Sequence, residues 1–316
     1  MRVEKFKGLG AARERLSALP TQTSQYQSFE YLRLHSGGRL LSFLRFMRRF
    51  LGKRDVMLGW DGNGRALRNL RDLSTYVVSD CNGPILAAPL WICDVNDRCV
   101  LGSAEGFNST DFLYANLPLC ELQQAFDCLM EYLRKEGCSH LHFCFLHDSS
   151  ITTQFLKQYS VSVLYRYVNT HINLDFDDYS SYVRTLGKHA AQNLRTAYNR
   201  IKRDGHVISF DFKVHPKHIP NEVTRLYAVR QAEHYRGQSR LKFRDWIRWC
   251  LFKDGFQIMT SPIGFLAMLK IDEKCAAFMG GMINPRCKML EVPKLAIDIG
   301  YKFYSPGLLL MSEMVR

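Results

Sequence analysis

Strand-like segments bounded by turn residues alternate with amphipathic helical segments along this chain, and the two halves follow a similar order. In the first half, a turn signature with Asn82-Gly83 at its centre separates two strand-like segments, and a helix-spaced apolar stripe follows. The predicted strands lie at 75–79, 84–92, 99–102, 140–146, 169–174, 206–214, 263–271, 275–283 and 288–297. The predicted helices lie at 11–19, 40–51, 119–136, 179–203, 221–235, 244–254 and 308–315. This alternation predicts an α+β (α/β) fold with a domain boundary near Tyr165.

Length and apolar content exclude several classes of protein. The chain has 316 residues, of which 47% are hydrophobic, so it can bury a substantial core and is not expected to be disordered. Its apolar runs, such as 84–93, are about ten residues long, whereas a bilayer-spanning helix needs roughly 20. Residues 1–5 begin no apolar signal segment, and the ten cysteines form no CxxC pair. We therefore expect a cytoplasmic protein with reduced, mostly buried thiols.

The formal net charge of +13 is concentrated in two helical segments. Residues 40–54 combine an apolar stripe with five cations, which is typical of a membrane-surface helix but also of an ordinary packed helix. Residues 184–203 hold six basic residues and no acidic one. Four of these cations share the face opposite the apolar stripe, namely Arg184, Lys188, Arg195 and Lys202. We expect either a solvated face or a surface for nucleotide phosphates, an RNA backbone or an acidic glycan.

Two motifs in the second half carry candidate chemistry. The Ser305-Pro306-Gly307 turn, between a strand and an apolar helix, places free backbone N–H groups at a helix N-terminus, which favours a phosphate. Glu233 and His234 stand at the polar end of a helix. They are candidates for acid–base catalysis, with an ordinary helix C-terminus as the alternative.

Other motif searches are negative or weak. His140, His142 and Cys144 alternate onto one strand face, but no second ligand cluster at zinc spacing accompanies them, so no metal is expected. The chain contains no P-loop, no GxSxG, no HExxH and no GxGxxG dinucleotide loop. These absences remove most support for an ATPase, a serine hydrolase, a zinc protease or a Rossmann dehydrogenase.

Three groups of residues occur in a fixed order between residues 55 and 316. They are 83–90 with 100–102 and 108–114, then 182–189 with 193–195 and 201–205, and finally 275–281 with 304–310. In this order they resemble the GNAT-fold acyltransferases of the cellulose-biosynthesis (CelD-like) acetyltransferase family, which are relatives of the Fem aminoacyl ligases. The usual glycine-rich acyl-CoA loop of that family is replaced here by Ser305-Pro306-Gly307.

The resemblance implies two tandem GNAT-like domains, each a mixed, mostly antiparallel sheet flanked by helices. Residues 1–54 would form an N-terminal helical extension, 55–165 the first domain, and 166–316 the second, acyl-donor-binding domain. Members of the family continue past the last helix with further strands, so the second domain is expected to be truncated at Arg316. The implied activity is N- or O-acetyl transfer from acyl-CoA, by direct attack, onto an envelope-related, polysaccharide-related or small-molecule acceptor.

The resemblance also implies a donor-binding site. GNAT proteins hold the donor pyrophosphate at a helix N-terminus, which assigns Ser305, Gly307 and Leu308 to acetyl-CoA or another acyl-CoA. Lys188 and Arg195, on the basic face of residues 184–203, would add an anion-facing wall to the same cleft. No metal is implied.

The catalytic residues that the resemblance implies lie on three segments. Glu291 is expected on a strand beside the cleft, and Glu233 and His234 on a helix near it, so these three are the candidate general bases. Tyr304 would protonate the leaving thiolate. Backbone donors of the central strand would stabilise the oxyanion.

Two other functions stay open. A Fem-like ligase would take its acyl group from aminoacyl-tRNA, and the basic helix would then hold RNA. A non-catalytic partner of a polysaccharide-synthesis complex would bind no acetyl-CoA. The expected partners are accordingly a small-molecule or glycan acceptor, tRNA for the ligase, and a complex at the inner membrane that the cytoplasmic chain would contact peripherally.

Overall fold

A computed structural model describes residues 1–8, 10–19, 56–60, 66–68, 70–93, 98–101, 111–138, 140–143, 146–163, 172–236, 250, 256–285 and 288–316. The chain divides into two compact units, Met1–Asn169 with Pro285–Lys288 and Thr170–Asn284 with Met289–Arg316. The predicted helices at 40–51 and 244–254, and the predicted boundary residue Tyr165, lie outside the described residues, apart from Cys250. Within the described ranges, every helix is too short or too polar to cross a membrane.

The first unit contains a mixed sheet whose strands are mostly antiparallel. Its strands are β1 (Arg2–Lys7), β2 (Val56–Trp60), β3 (Ala66–Arg68), β4 (Leu70–Ser79), β5 (Pro84–Cys93), β6 (Arg98–Leu101), β7 (Leu113–Tyr114) and β8 (His140–Phe143). Its helices are α1 (Arg13–Ala18), α2 (Leu119–Lys135) and α3 (Ile151–Leu156). The main sheet has the order β1-β4-β5-β6-β8, with β7 paired to β5, while β2 and β3 pair separately. Strands β6 and β8 are parallel, and the other described neighbours are antiparallel.

Helix α2 packs on this sheet because its sequence repeats apolar residues at helical spacing. Leu122, Phe126 and Leu129 are buried, and they share one core cluster with the strand residues Tyr76 and Leu86. The helix predicted at 119–136 is thus observed, with the predicted stripe facing the core.

Strand β1 was not predicted. Residues 1–54 were expected to form a helical extension, yet Arg2–Lys7 pairs antiparallel with β4, with Arg2 opposite Ser79 and Lys7 opposite Ser74. The strand lies at an edge of the sheet, where charged side chains such as Glu4 and Lys5 are tolerated and discourage further pairing. Because its sequence is polar, β1 lacks the apolar run by which the other strands were predicted.

The described cysteines range from exposed to buried. Six cysteines have side chains that the structure describes, and each of them is a free thiol: Cys81 and Cys120 are exposed, Cys128, Cys138 and Cys250 are half-buried, and Cys275 is buried. The two exposed thiols are exceptions to the expected burial, because Cys81 lies in the β4–β5 turn and Cys120 in the first turn of α2.

The second unit contains a fully antiparallel sheet in its described part. Its strands are β9 (Ile208–Val214), β10 (Gly264–Ile271), β11 (Lys274–Asn284) and β12 (Met289–Ile297), in the order β12-β11-β10-β9. Its helices are α4 (Tyr179–Thr185), α5 (Lys188–Arg203), α6 (Asn221–Arg236), a 3-10 helix (Ile299–Tyr304) and α7 (Pro306–Val315). The predicted α+β fold, with mostly antiparallel sheets flanked by helices, is confirmed in both units.

The helix predicted at 179–203 is two helices. Helix α4 ends before Leu186, whose backbone is extended (ψ 136°), and Gly187 is the N-cap of α5. Glycine is the poorest helix former after proline, so the helix breaks at this point. The predicted strand at 169–174 is also wrong in its described part, because residues 172–174 are irregular.

The sheet of the second unit is covered on both faces. Helices α5 and α7 contribute Leu194, Ile201 and Leu309 to a buried cluster with Phe265 and Leu269 of β10. Successive strand residues point to opposite faces. On the other face, the buried rings of Tyr227 (α6), Phe256 and Phe278 (β11) lie 5.4 to 6.4 Å apart, which places α6 opposite α5 and α7.

Candidate functional site

A strand–turn–helix junction follows β12 in the second unit. The 3-10 helix ends at Ser305, whose backbone is left-handed (φ 51°, ψ 54°), and α7 begins at Pro306. A non-glycine residue in this conformation costs roughly 1–2 kcal/mol. Strained residues of this kind cluster at functional sites. The junction is the predicted Ser-Pro-Gly turn, now placed on the structure.

The first turn of α7 leaves one backbone donor open. Pro306 has no N–H, and the N–H groups of Leu308 and Leu309 donate to the Ser305 carbonyl oxygen at 3.0 and 3.2 Å. The N–H of Gly307 has no partner among the described residues, and the Ser305 side chain does not cap the helix. Because the helix dipole adds positive potential at this end, the turn can accept an anion.

Tyr304, directly before the turn, belongs to a hydrogen-bonded cluster. Its hydroxyl lies 2.9 Å from His206 Nε2 and donates to Asp204 Oδ2 at 3.0 Å. Asp204 also accepts two hydrogen bonds from the Arg203 guanidinium, at 2.7 and 3.1 Å. Desolvation and the bond to Asp204 raise the pKa of the Tyr304 hydroxyl. Tyr304 therefore stays protonated at neutral pH, as a proton donor must.

His206 owes its position to the end of α5. Gly205 adopts a left-handed conformation (φ 73°), and the N–H groups of Gly205 and His206 donate to the carbonyl oxygens of Lys202 and Ile201. This is a Schellman motif, which fixes the direction of the chain as it leaves the helix. His206 Nδ1 lies 2.6 Å from Asp272 Oδ2 in the β10–β11 turn. The bonds that Asp272 accepts from the Val207 N–H and from His206 lower its pKa.

An aromatic and basic surface borders the junction. The Arg200 guanidinium stacks 4.3 Å from the Phe303 ring centroid and donates to the Phe303 carbonyl oxygen at 2.7 Å. Arg203 lies 5.8 Å from the same ring, which is 51% exposed. An exposed ring beside two guanidinium groups offers stacking for a base and charge for a phosphate.

Other residues assigned to the donor site lie elsewhere. Lys188 and Arg195 are both exposed on α5. They precede Arg200 by 12 and 5 residues, which corresponds to about 18 and 7.5 Å along a helix axis. The structure therefore brings Arg200 and Arg203, not Lys188, to the junction.

The candidate bases are separated from one another. Glu291 is half-buried on β12, opposite Met282 and beside an irregularity in the β11–β12 register. Glu233 is half-buried on α6, one turn after Arg230, which donates to the Leu295 carbonyl oxygen of β12 at 2.6 Å. His234 lies within α6, but its side chain is outside the described part of the chain. Of the predicted site residues, the structure brings together Tyr304, the Ser-Pro-Gly turn and Leu308.

Sequence reasoning did not assign six residues to this site, namely Arg200, Arg203, Asp204, His206, Asp272 and Phe303. The Asp204-Gly205 helix stop could have drawn attention to His206, which follows it. The contact between His206 and Asp272 joins residues 66 positions apart and has no sequence signal.

Potential metal ligands are scattered in the part of the chain that the structure describes. Within the described ranges, no three His, Cys, Asp or Glu side chains are grouped so that they could hold a metal ion. The structure does not describe the side chains of His140 and His142, and Cys144 lies outside the described ranges.

No protein-family model and no curated protein matches this chain. Similar solved structures include L-PGS from Bacillus licheniformis, with 13% identity and a TM-score of 0.35, over 86% of this chain and 74% of that one. FemX has 12% identity and a TM-score of 0.38, over 85% of this chain and 58% of its own length. The aminoglycoside N-acetyltransferase AAC(6')-Iy, in complex with CoA, has 12% identity and a TM-score of 0.23, over 42% of this chain and 92% of its own. Because these scores are low, the function proposed below rests on the residues of this chain.

Proposed function

We propose that this chain is an acyltransferase that takes its acyl group from an acyl-CoA donor. The observation that carries the proposal is the junction after β12, where the Tyr304 hydroxyl, the open Gly307 N–H and the start of α7 follow one another. An anion-accepting helix end next to a proton donor suits a thioester donor, which carries a pyrophosphate and releases a thiolate.

The donor would bind through groups of two kinds. The pyrophosphate would lie at the N–H of Gly307, near Ser305 and Leu308, in the positive potential of α7. The nucleotide end of the donor would use the exposed Phe303 ring and the guanidinium groups of Arg200 and Arg203. Lys188 and Arg195 are then left for longer-range attraction of an anionic donor.

The reaction would be a direct transfer. A base, with Glu291, Glu233 and His234 as candidates, removes a proton from the acceptor amine or hydroxyl, and the acceptor attacks the thioester carbonyl. The carbon–sulfur bond breaks as the thiolate leaves, and Tyr304 gives its proton to the sulfur. The acceptor itself would be a small molecule or an envelope-related or polysaccharide-related glycan, modified in the cytoplasm or at the inner membrane surface.

A second donor, aminoacyl-tRNA, is favoured by one specific observation. The Phe303–Arg200 stack suits any nucleotide, and the acid-free α5 adds exposed cations that a long RNA backbone would use. Binding to RNA through several phosphates weakens steeply with salt, by ~10³-fold or more between 50 and 200 mM for six contacts. A CoA donor makes fewer phosphate contacts and would depend on salt much less.

Turnover separates these functions. Acetyl-CoA and aminoacyl-tRNA are offered as donors to the purified chain with a panel of amine and hydroxyl acceptors, at both salt concentrations. Transfer from acetyl-CoA with weak salt dependence supports the leading proposal, and transfer from aminoacyl-tRNA alone supports the ligase. Failure of both donors to bind or react would leave a non-catalytic partner of a larger complex.

Three single variants test the residue assignments in the same assay. Glu291→Gln and His234→Ala test two of the candidate bases, and full turnover in both would rule these two out as the base. Tyr304→Phe should lower kcat by ~10²-fold or more if the hydroxyl protonates the thiolate. Glu222→Gln, an exposed carboxylate at the start of α6, is the control and should keep full turnover.

A further inference from the structure

The hydrogen bonds around His206 define its protonation state. Asp272 has a lowered pKa, so it is ionised and can only accept, and His206 Nδ1 must therefore donate to it. Asp204 is ionised for the same reason, with Arg203 as the largest cause, so the single hydrogen of the Tyr304 hydroxyl is donated to it. The contact between Tyr304 and His206 Nε2 is then a hydrogen bond only if Nε2 carries a proton.

The complete cluster therefore holds His206 as an imidazolium. Both of its nitrogen atoms donate, one to Asp272 and one to the Tyr304 oxygen. The titratable groups around it come from four elements: Asp204 and Arg203 from the end of α5, Asp272 from the β10–β11 turn, Lys274 from β11, and Tyr304, which is neutral, from the 3-10 helix.

We propose that His206, held by Asp272, is the positioning residue that keeps Tyr304 supplied with a proton during acyl transfer, an inference that rests on the proposed function. When the donor is bound, the Tyr304 hydrogen turns from Asp204 to the leaving sulfur. As the O–H bond breaks and the proton goes to the sulfur, the phenolate oxygen is left 2.9 Å from His206 Nε2. The Nε2–H proton passes to that oxygen and the imidazolium becomes a neutral imidazole. The Nδ1–H stays hydrogen-bonded to Asp272.

The local structure supports this arrangement beyond the hydrogen bonds themselves. His206 has a side chain that is 28% exposed, so the neutral ring can take a new proton from water. The Asp272 backbone is left-handed (φ 48°), and so is that of Glu273 (φ 63°), as a two-residue type I′ turn requires. Asparagine and glycine suit such a turn as well as aspartate does. Of these three residue types, only aspartate also places a negative charge beside His206.

The test compares pH profiles of kcat for acetyl-CoA with hydroxylamine as a small amine acceptor. In the wild-type chain, kcat should fall on the alkaline side as His206 loses its proton. His206→Gln keeps an amide group that can donate to Tyr304 but cannot titrate, so kcat should fall at least tenfold, KM for acetyl-CoA should stay unchanged, and the alkaline limb should disappear. His218→Gln, at an exposed position, is the control and should keep the wild-type profile.

Asp272→Asn provides the second variant, because asparagine keeps the turn and removes the charge. With the carboxylate gone, the ring is held less firmly against Tyr304, so kcat should fall by less than in His206→Gln while KM for acetyl-CoA stays unchanged. An unchanged profile and kcat in His206→Gln, with acetyl-CoA still turned over, would overturn the relay and leave the proposed function intact. Absence of acetyl-CoA binding and turnover in the wild-type chain would overturn both.

Discussion

Asp111 in the first unit gives the most quantitative prediction. The residue is only 6% exposed, and its Oδ1 accepts hydrogen bonds from the Phe112 N–H at 2.7 Å and from the Thr152 hydroxyl at the start of α3. Tyr114 continues the chain, with its hydroxyl 2.6 Å from Thr152 Oγ1. Burial raises the pKa of the Asp111 carboxyl to about 6, above an ordinary value of 3.8, because desolvation outweighs these hydrogen bonds.

The sign of the effect follows from linkage. A carboxyl whose pKa is higher in the folded state binds more protons when folded, so the free energy of unfolding is greatest at low pH and falls as the pH rises. At about 1.36 kcal/mol per pKa unit, the full difference is roughly 3 kcal/mol. Between pH 4.5 and 7.5, a group that titrates near 6 when folded and near 3.8 when unfolded accounts for about 2 kcal/mol of it.

The variant Asp111→Asn removes this titration while keeping an oxygen that can accept from Thr152. Hydrogen exchange of first-unit amides, measured for both chains at each pH, gives the difference in opening free energy, since intrinsic exchange rates cancel. The wild-type chain should lose about 2 kcal/mol relative to Asp111→Asn from pH 4.5 to 7.5. Asp148→Asn, an exposed carboxylate, serves as the control. The argument that desolvation dominates at Asp111 would be refuted if the opening free energy of the wild-type chain relative to Asp111→Asn did not change with pH, or if it rose as the pH rose.

Two further predictions concern the second unit. Gly281→Ala should lower the free energy of unfolding by at least about 2 kcal/mol, seen as a lower Tm, because a Cβ there would lie 1.8 Å from the Glu291 carbonyl oxygen. Gly187→Ala, where a Cβ meets open space, is the control, and equal Tm values for the two variants would contradict the prediction. Iodoacetamide at pH 8 should label the exposed Cys81 and Cys120 and spare Cys275, since burial raises the pKa of the Cys275 thiol to about 12. Mass spectrometry reads the labelling, and modification of native Cys275 at the rate of Cys81 would count against it.

Much of the fold was predictable because its signals are local. The stripe of α2 and the β10–β11 hairpin each lie within about twenty consecutive residues, where spacing and turn residues act directly. Strand β1 escaped prediction because pairing with β4, more than 65 residues away, decides its conformation, and its edge position permits polar side chains. The break at Gly187 was missed because the apolar stripe continues through it, although one glycine was enough to start a new helix.

The candidate site was predictable only where its residues adjoin in sequence. Tyr304 and the Ser-Pro-Gly turn are neighbours, so the pattern identified them together. Lys188 was included because it shares a helix face with other cations, but position along the helix axis, not only the face, decides which cations reach the junction. His206 and Asp272 meet through two turns whose geometry brings distant segments together, and no spacing rule anticipates that contact.

The central claim, that the start of α7 binds an acyl-CoA donor, is tested most directly by calorimetric titration of acetyl-CoA into the wild-type chain and into Gly307→Glu. The added Cβ would lie 3.2 Å from the Ile297 side chain, a close contact that a shift of this side chain by a few tenths of an ångström relieves, while the carboxylate would face the donor phosphates. Repulsion between such charges should weaken binding by about tenfold or more. Gly10→Glu, at an open position in the first unit, should bind like the wild-type chain. Equal affinity in Gly307→Glu, or no binding by the wild-type chain, would contradict the account.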